Sequence, residues 1–370
     1  MMSSILVFLA VLSVLILVHE VGHFLAAKRA GVLVEEFGFG LPPKIWGKKI
    51  GETVYSLNLL PFGGFVRLHG EMGEEGVIEP KRAFINKSKK TRTAIILAGV
   101  FMNFALAILA FATIYSFSGI PRQTGEVKVV EVVSDSPAQT AKVLAGDIVR
   151  KVGEQKITSV EQFIGIVEEN RGKRITLEVE RMRGEKKEVE RISLTPRQNP
   201  PEGEGPLGVI ISSTEIYYPP LWQRPFVGIY YGFKEALFWG VTVVAGLVKI
   251  LKDLFLGQAP KDLAGPVGIF AVTSQVAQLG TLAIFNFVGI LSVNLAILNA
   301  IPFPALDGGR LLFIGLESVL GRRVLPKIEA AIHTAGMIIL IFLLLAITAH
   351  DIQRLVSAGG ISGFVDSILR

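Results

Sequence analysis

Four segments of the chain are apolar for about the 20 residues that a bilayer core requires: residues 4–27, 93–118, 282–301 and 330–349. Residues 5–18 hold no charged side chain at all. Between the first two spans the apolar period shortens to two. Phe37-Gly38-Phe39-Gly40, a Pro42-Pro43 break, the alternating Tyr55-Ser56-Leu57-Asn58-Leu59, and Gly63-Gly64 before Phe65-Val66-Arg67-Leu68 predict short strands joined by glycine turns. Both flanks are spans and apolar side chains are left over, so this β-hairpin loop is expected to be membrane-associated.

The pattern changes again after the second span. Strand-like runs at 126–133, 174–181 and 187–194 surround a helical run at 160–170, as in one small soluble α+β domain. Pro196, Pro200, Pro201, Gly203, Gly205 and Pro206 then read as a linker. Residues 222–256 are apolar but interrupted by Lys234-Glu235, which leaves too short an uncharged run for a span. They are expected to form amphipathic helices on the membrane surface. The fold class is thus a multi-pass α-helical membrane protein of about four spans, with a membrane-associated β loop and one inserted α+β domain. Its parts are residues 1–120, 121–198, 199–280 and 281–370.

Charge orients this layout. The chain has 370 residues and a net charge of +6, and twelve Lys/Arg against seven Asp/Glu fall between Lys28 and Arg92. Under the positive-inside rule that loop is cytoplasmic, which explains the basic excess without a nucleic-acid partner. The second span then leads out, and the α+β domain lies outside. If residues 222–256 do not cross, the third span returns inward and ends near Ile301. There is no cysteine, so a metal must be held by His and carboxylate side chains.

The candidate chemistry is His19-Glu20-Val21-Gly22-His23, at the end of the first span. Residues four apart share a helix face, so both imidazoles reach one metal ion, and Glu20 is placed to act as a base on metal-bound water. A carboxylate at membrane depth costs roughly 2.5–3.5 kcal/mol, which argues that Glu20 has a function. A signal peptide would also begin with an apolar run, but no basic segment precedes Ile5 and no A-x-A-like site follows closely. Two histidines leave a catalytic zinc one protein ligand short. Glu35 and Glu36 are close in sequence but follow the span, where they face water. Asp307 is the better candidate. Prolines 302 and 304 and glycines 308 and 309 bracket it, and unwound backbone at membrane depth belongs in buried or wet places.

The chain resembles the bacterial site-2 proteases of the regulator-of-sigma-E type over nearly its whole length. The resemblance rests on His19–His23, on Leu60-Pro61-Phe62-Gly63-Gly64-Phe65-Val66, on Gly99-Val100-Phe101-Met102-Asn103, on Gly265-Pro266-Val267-Gly268 and on Leu306-Asp307-Gly308-Gly309. It implies an intramembrane zinc metalloendopeptidase with Zn²⁺ held by His19, His23 and Asp307, and Glu20 as catalytic base. It also implies that Asn294 and Asn299 hold an unwound substrate strand, and that Gly63, Gly64 and Phe65 lie in the β element that handles substrate. The α+β domain resembles a PDZ domain through Ser136-Pro137-Ala138 and Ala145-Gly146-Asp147, although Ala141-Lys142-Val143 departs from the usual Ala-Gly-Leu. Such domains act in the family as size filters for already trimmed substrates.

The implied substrates are single-span membrane proteins, such as anti-sigma-factor-like proteins or signal-peptide remnants, cut after a first extracytoplasmic cleavage. The implied location is the bacterial inner membrane, with the bilayer as the other partner and the zinc site towards the cytoplasm. A metal transporter or sensor with a PDZ adaptor would use the same ligands but has no need of Glu20. Spans two and four also lack the acids such a pathway wants. A catalytically inactive PDZ scaffold sits poorly with an intact His-Glu-His and Asp307.

Overall fold

The computed structural model describes residues 2–71, 77–184, 186–201, 203–257, 264–322, 324–360 and 363–365. The chain forms two compact units, one of residues 1–117 with 222–370, the other of residues 118–221.

Among its described residues the first unit contains four helices long and apolar enough to cross a membrane, matching the four expected spans: α1 (Met2–Arg29), α2 (Lys89–Ser118), and the later helices over Thr281–Ala300 and Lys327–Ser357. Lys28 and Arg29 close α1 on cations, which suit the negative end of its dipole. Between α1 and α2 run β1 (Val34–Ile50) and β2 (Thr53–Leu68). Both strands bend, so they pair twice. Phe37-Gly38-Phe39 faces Val66-Phe65-Gly64 on one side and Tyr55-Ser56-Leu57 on the other, while Lys44–Ile50 pairs with Asn58–Thr53. The prolines at 42 and 43, which have no N–H to donate, sit at the bend. A core of Ala27, Val32, Leu68, Phe84, Ile95 and Ile314 binds the end of α1 and the strands to α2.

The second unit is a sheet of strand order β7-β6-β4-β3-β8. In chain order it comprises β3 (Ile120–Val132), α3 (Pro137–Thr140), β4 (Ile148–Val152), β5 (Gln155–Lys156, on β4), α4 (Val160–Glu169), β6 (Ile175–Arg183), β7 (Lys186–Leu194) and β8 (Val209–Tyr217). Its core includes Val127, Val129, Val149, Phe163, Leu177 and Val179. Ser136 caps α3 by accepting from Gln139 N at 3.1 Å. Asp147, fully buried, accepts a two-pronged bond from Arg181 at 2.7 Å on each oxygen. The unit extends past the expected boundary at 198. The proline and glycine cluster is followed by β8, which antiparallel pairing joins to β3, as Val129 with Ile211 and Ile120 with Tyr217.

Residues 222–256 depart most from expectation. They form one helix, α5 (Arg224–Phe255), and its first five turns pack against the spans rather than lying apart as a surface helix. Gly228 and Gly232 bring its backbone against Ala112 and Ile108 of α2. Ala236 and Trp239 join Phe111 in one core with Val293 of α7 (Thr281–Ala300). The charges that break the apolar run are absorbed locally. Glu235 accepts from the Tyr115 hydroxyl at 2.8 Å and from Trp239 Nε1 at 3.1 Å, and Lys234 Nζ lies 4.7 Å from the Tyr230 ring centre. A short helix, α6 (Pro266–Val276), is also packed inward. Ser274 bonds Ser4 of α1 at 3.1 Å. The backbone N–H groups of Gly265 and Gly268 donate to buried Asp351 at 2.9 and 2.8 Å. Last come α8 (Asp307–Leu320) and α9 (Pro326–Ser357), the second containing the fourth span.

Candidate metal centre

His19 and His23 stack one turn apart on α1, with ring centres 4.7 Å apart. Asp307, the first residue of α8, meets them from the far end of the chain. Its Oδ2 lies 3.0 Å from His19 Nε2 and 3.2 Å from His23 Nε2, and the two Nε2 atoms are 3.1 Å apart. A tetrahedral ion with bonds of about 2.0 Å separates its ligand atoms by about 3.3 Å. The three atoms therefore sit near the corners zinc requires.

The ring nitrogens on the far side show why a cation fits. His23 Nδ1 lies 2.9 Å from the Ile95 carbonyl, which only accepts, so Nδ1 carries the proton and Nε2 presents a lone pair. His19 Nδ1 lies 3.2 Å from the Asn103 amide. Asn103 is fully buried and its Oδ1 has no partner. Turning the amide over puts its oxygen on a protonated His19 Nδ1. Both Nε2 atoms then face the Asp307 Oδ2, which is buried and has no hydrogen bond of its own. Three lone-pair atoms about 3 Å apart repel one another unless a cation lies among them. The donor set, two imidazoles and a carboxylate, suits zinc and leaves a fourth position for water.

Glycines make the close approach possible. A Cβ on Gly99 of α2 would fall 2.5 Å from His23 Nε2 and 2.7 Å from His19 Cε1. One on Gly22 would fall 2.4 Å from the Ala98 carbonyl oxygen, and one on Gly308 would fall 2.0 Å from that of Ile301. The loop before Asp307 is held by α9. Ala305, at φ +77°, donates its N–H to His333 Nδ1 at 3.0 Å, and Gly336 packs on Pro304. Arg310, one turn after Asp307, is joined to Glu71 beyond the end of β2.

The remaining expected site residues fall around this cluster. Glu20 points towards β2: a Cβ on Gly64 would lie 3.7 Å from its Cγ and 3.0 Å from the Gly38 carbonyl oxygen. Gly63 takes φ +85°, and Ser13 of α1 donates to the Pro61 carbonyl at 3.2 Å, which seats this strand along α1. Phe65 covers Gly38. Asn294 donates to its own helix at Ile290 O, 3.0 Å, and Asn299 makes no hydrogen bond among the described residues. Neither bonds to the histidines or Asp307. Glu35 is engaged by His69 at 2.7 Å and Glu36 by Lys44 at 3.1 Å, so neither joins the cluster.

A family model described as peptidase family M50 matches residues 7–343. The chain belongs to peptidase family M50. Zinc metalloprotease RasP of Oceanobacillus iheyensis is 30% identical, across 96% of this chain and all of that protein. The regulator of sigma-W protease RasP of Bacillus subtilis is 28% identical, across 95% of this chain and 98% of that protein. With four apolar helices, the M50 member described here is a multi-pass membrane zinc metalloprotease. Asn103 and His333 were not among the expected site residues. Each is a polar side chain within a span, and that is the signal that could have found them.

Proposed function

We propose that this chain hydrolyses peptide bonds in or near the transmembrane segments of single-span membrane proteins. The substrates proposed are anti-sigma-factor-like proteins or signal-peptide remnants that have already been cut outside. The observation that carries the reading is the meeting of two bare imidazole nitrogens and an unpartnered carboxylate oxygen inside apolar helices.

His19, His23 and Asp307 are the ligands, and Glu20 is the base. When bound, zinc supplies Lewis acidity that makes the attacking water acidic near neutral pH and polarises the scissile carbonyl. Glu20 takes the proton of that water and passes it to the leaving amine. The substrate helix must open before it reacts, because its own hydrogen bonds shield each carbonyl. Gly63, Gly64 and Phe65 offer strand backbone beside Glu20 with which an opened segment can pair. Asn299, with its amide free, and Asn294 supply further hydrogen bonds.

The second unit is proposed to be a PDZ domain. A groove of about 190 Å³ between α4 and the start of β8, lined by Phe163, Val167, Leu207 and Val209, supports this, since PDZ domains take extended peptides along such an edge. The basic segment between α1 and α2 supports a cytoplasmic zinc site in the inner membrane and an extracytoplasmic PDZ domain. The test is co-expression with single-span substrates. Glu20→Gln is expected to abolish cleavage and keep zinc, because it removes the base and no ligand. Retained cleavage refutes the assignment.

A further inference from the structure

The first turns of α2 and one face of α8 enclose a groove of about 610 Å³ that the hydrolytic chemistry does not use. Its walls are mostly apolar, Ala94, Leu97, Leu311 and Ile314, with the hydroxyls of Thr93 and Ser318 among them. The space beside Gly315 is open, since a Cβ there would meet nothing within 4 Å. The charge lies at one end, on Lys89 and Lys90. Lys89 Nζ is steadied by the Glu317 carbonyl at 3.1 Å. The Glu317 carboxylate is paired with buried Arg92 at 2.5 Å. Lys90 is exposed and makes no hydrogen bond or ion pair among the described residues.

The groove therefore joins a cationic mouth to a mostly apolar trough. It begins where α2 changes from Lys89-Lys90-Thr91-Arg92 to an apolar run, which is the level where headgroups give way to acyl chains. Only an amphiphile satisfies both ends. A peptide strand would bury unpaired backbone N–H and C=O groups against these walls. A zwitterionic lipid would bring a cation of its own to the lysines. We propose that the groove between α2 and α8 binds one anionic phospholipid, with its phosphate on Lys89 and Lys90 and an acyl chain along Leu97 and Leu311. The volume lies within the usual range for a ligand site, and basic pockets between membrane helices suit such headgroups.

The position has a consequence for the metal centre. α2 presents the Ile95 carbonyl, Gly99 and Asn103 to the histidines, and α8 begins with Asp307. An acyl chain seated between these helices sets their spacing.

The test uses the full chain in a non-ionic detergent, with bound lipid counted by native mass spectrometry. Phosphatidylglycerol is expected to be retained at one per chain, and phosphatidylcholine about fivefold less. Gly315→Leu fills the trough with a good helix former, and Lys90→Gln removes a charge. Each is expected to lower phosphatidylglycerol retention about fivefold while the chain stays folded. Undiminished retention in both variants overturns the proposal, as does equal retention of phosphatidylcholine. Displacement of the lipid by glycerol 3-phosphate, which has no acyl chain, would make this a free-phosphate site and also overturns it. So would a co-purifying protein, in place of lipid, that is lost from Gly315→Leu.

Discussion

Gly99→Ala is the sharpest test of how the metal centre is built. The added methyl would lie 2.5 Å from His23 Nε2 and 2.7 Å from His19 Cε1. Restoring an ordinary 3.4 Å contact needs a movement of about 0.9 Å, either of α2 away from α1 or of the rings away from Asp307. Zinc–ligand distances tolerate about 0.2 Å, so a displacement of this size takes a ligand out of reach. A misplacement of about 1 Å costs on the order of a hundredfold in rate, or about 2.7 kcal/mol of transition-state stabilisation. The substitution acts oppositely on the helix, where alanine gains roughly 1 kcal/mol over glycine. The expected outcome is a folded enzyme with undiminished thermal stability of its zinc-free form. Its zinc affinity should fall, and kcat/KM on a single-span substrate should drop about a hundredfold. Affinity would be read by competition with a chelator, and activity at saturating free zinc. Full activity with unchanged affinity refutes the geometry. A loss of folding with normal residual zinc binding would place the effect in packing alone.

Asn103→Ala removes the partner of His19 Nδ1 and should weaken zinc binding about 10- to 100-fold, while Asn103→Gln restores little because its amide is displaced by a methylene; chelator competition reads both. His333→Phe removes the acceptor for Ala305 N–H and should lower zinc affinity, whereas His333→Asn, whose Oδ1 can stand where Nδ1 stood, should recover much of it. Equal losses in the two His333 variants would mean that packing, and not the hydrogen bond, matters there. A single cysteine at Ser159 should react with a membrane-impermeant thiol reagent from outside intact cells and one at Ser88 should not; the reverse pattern inverts the proposed orientation.

What can be read in sequence depends on whether the determining contact is local. The meeting of His19 and His23 is legible because the proposed metal ligation and the helix share one spacing. Asp307 is legible because Pro302, Pro304, Gly308 and Gly309 mark an unwound segment around an acid. The part played by α5 is not legible. Hydropathy treats Glu235 as a charge seeking water, but its partners are Trp239 and a tyrosine hydroxyl 120 residues earlier. β8 is hidden for a similar reason. The preceding prolines and glycines read as the end of a domain, while the strand's partner β3 lies nearly 90 residues upstream. His333 acts on a backbone N–H, and a backbone group leaves no pattern in the sequence.

The ring nitrogens of His19 and His23 that face away from the cluster are both held by α2, and the segment carrying Asp307 is held by α9. A ribosome delivers these elements in order, with nearly three hundred residues between the first histidine and the aspartate. A chain that has inserted only its first two spans has two oriented imidazoles and no carboxylate between them. One that stops before α9 has the carboxylate on an untethered turn. On the proposed ligand set, the arrangement is therefore complete only once α9 holds the turn that carries Asp307.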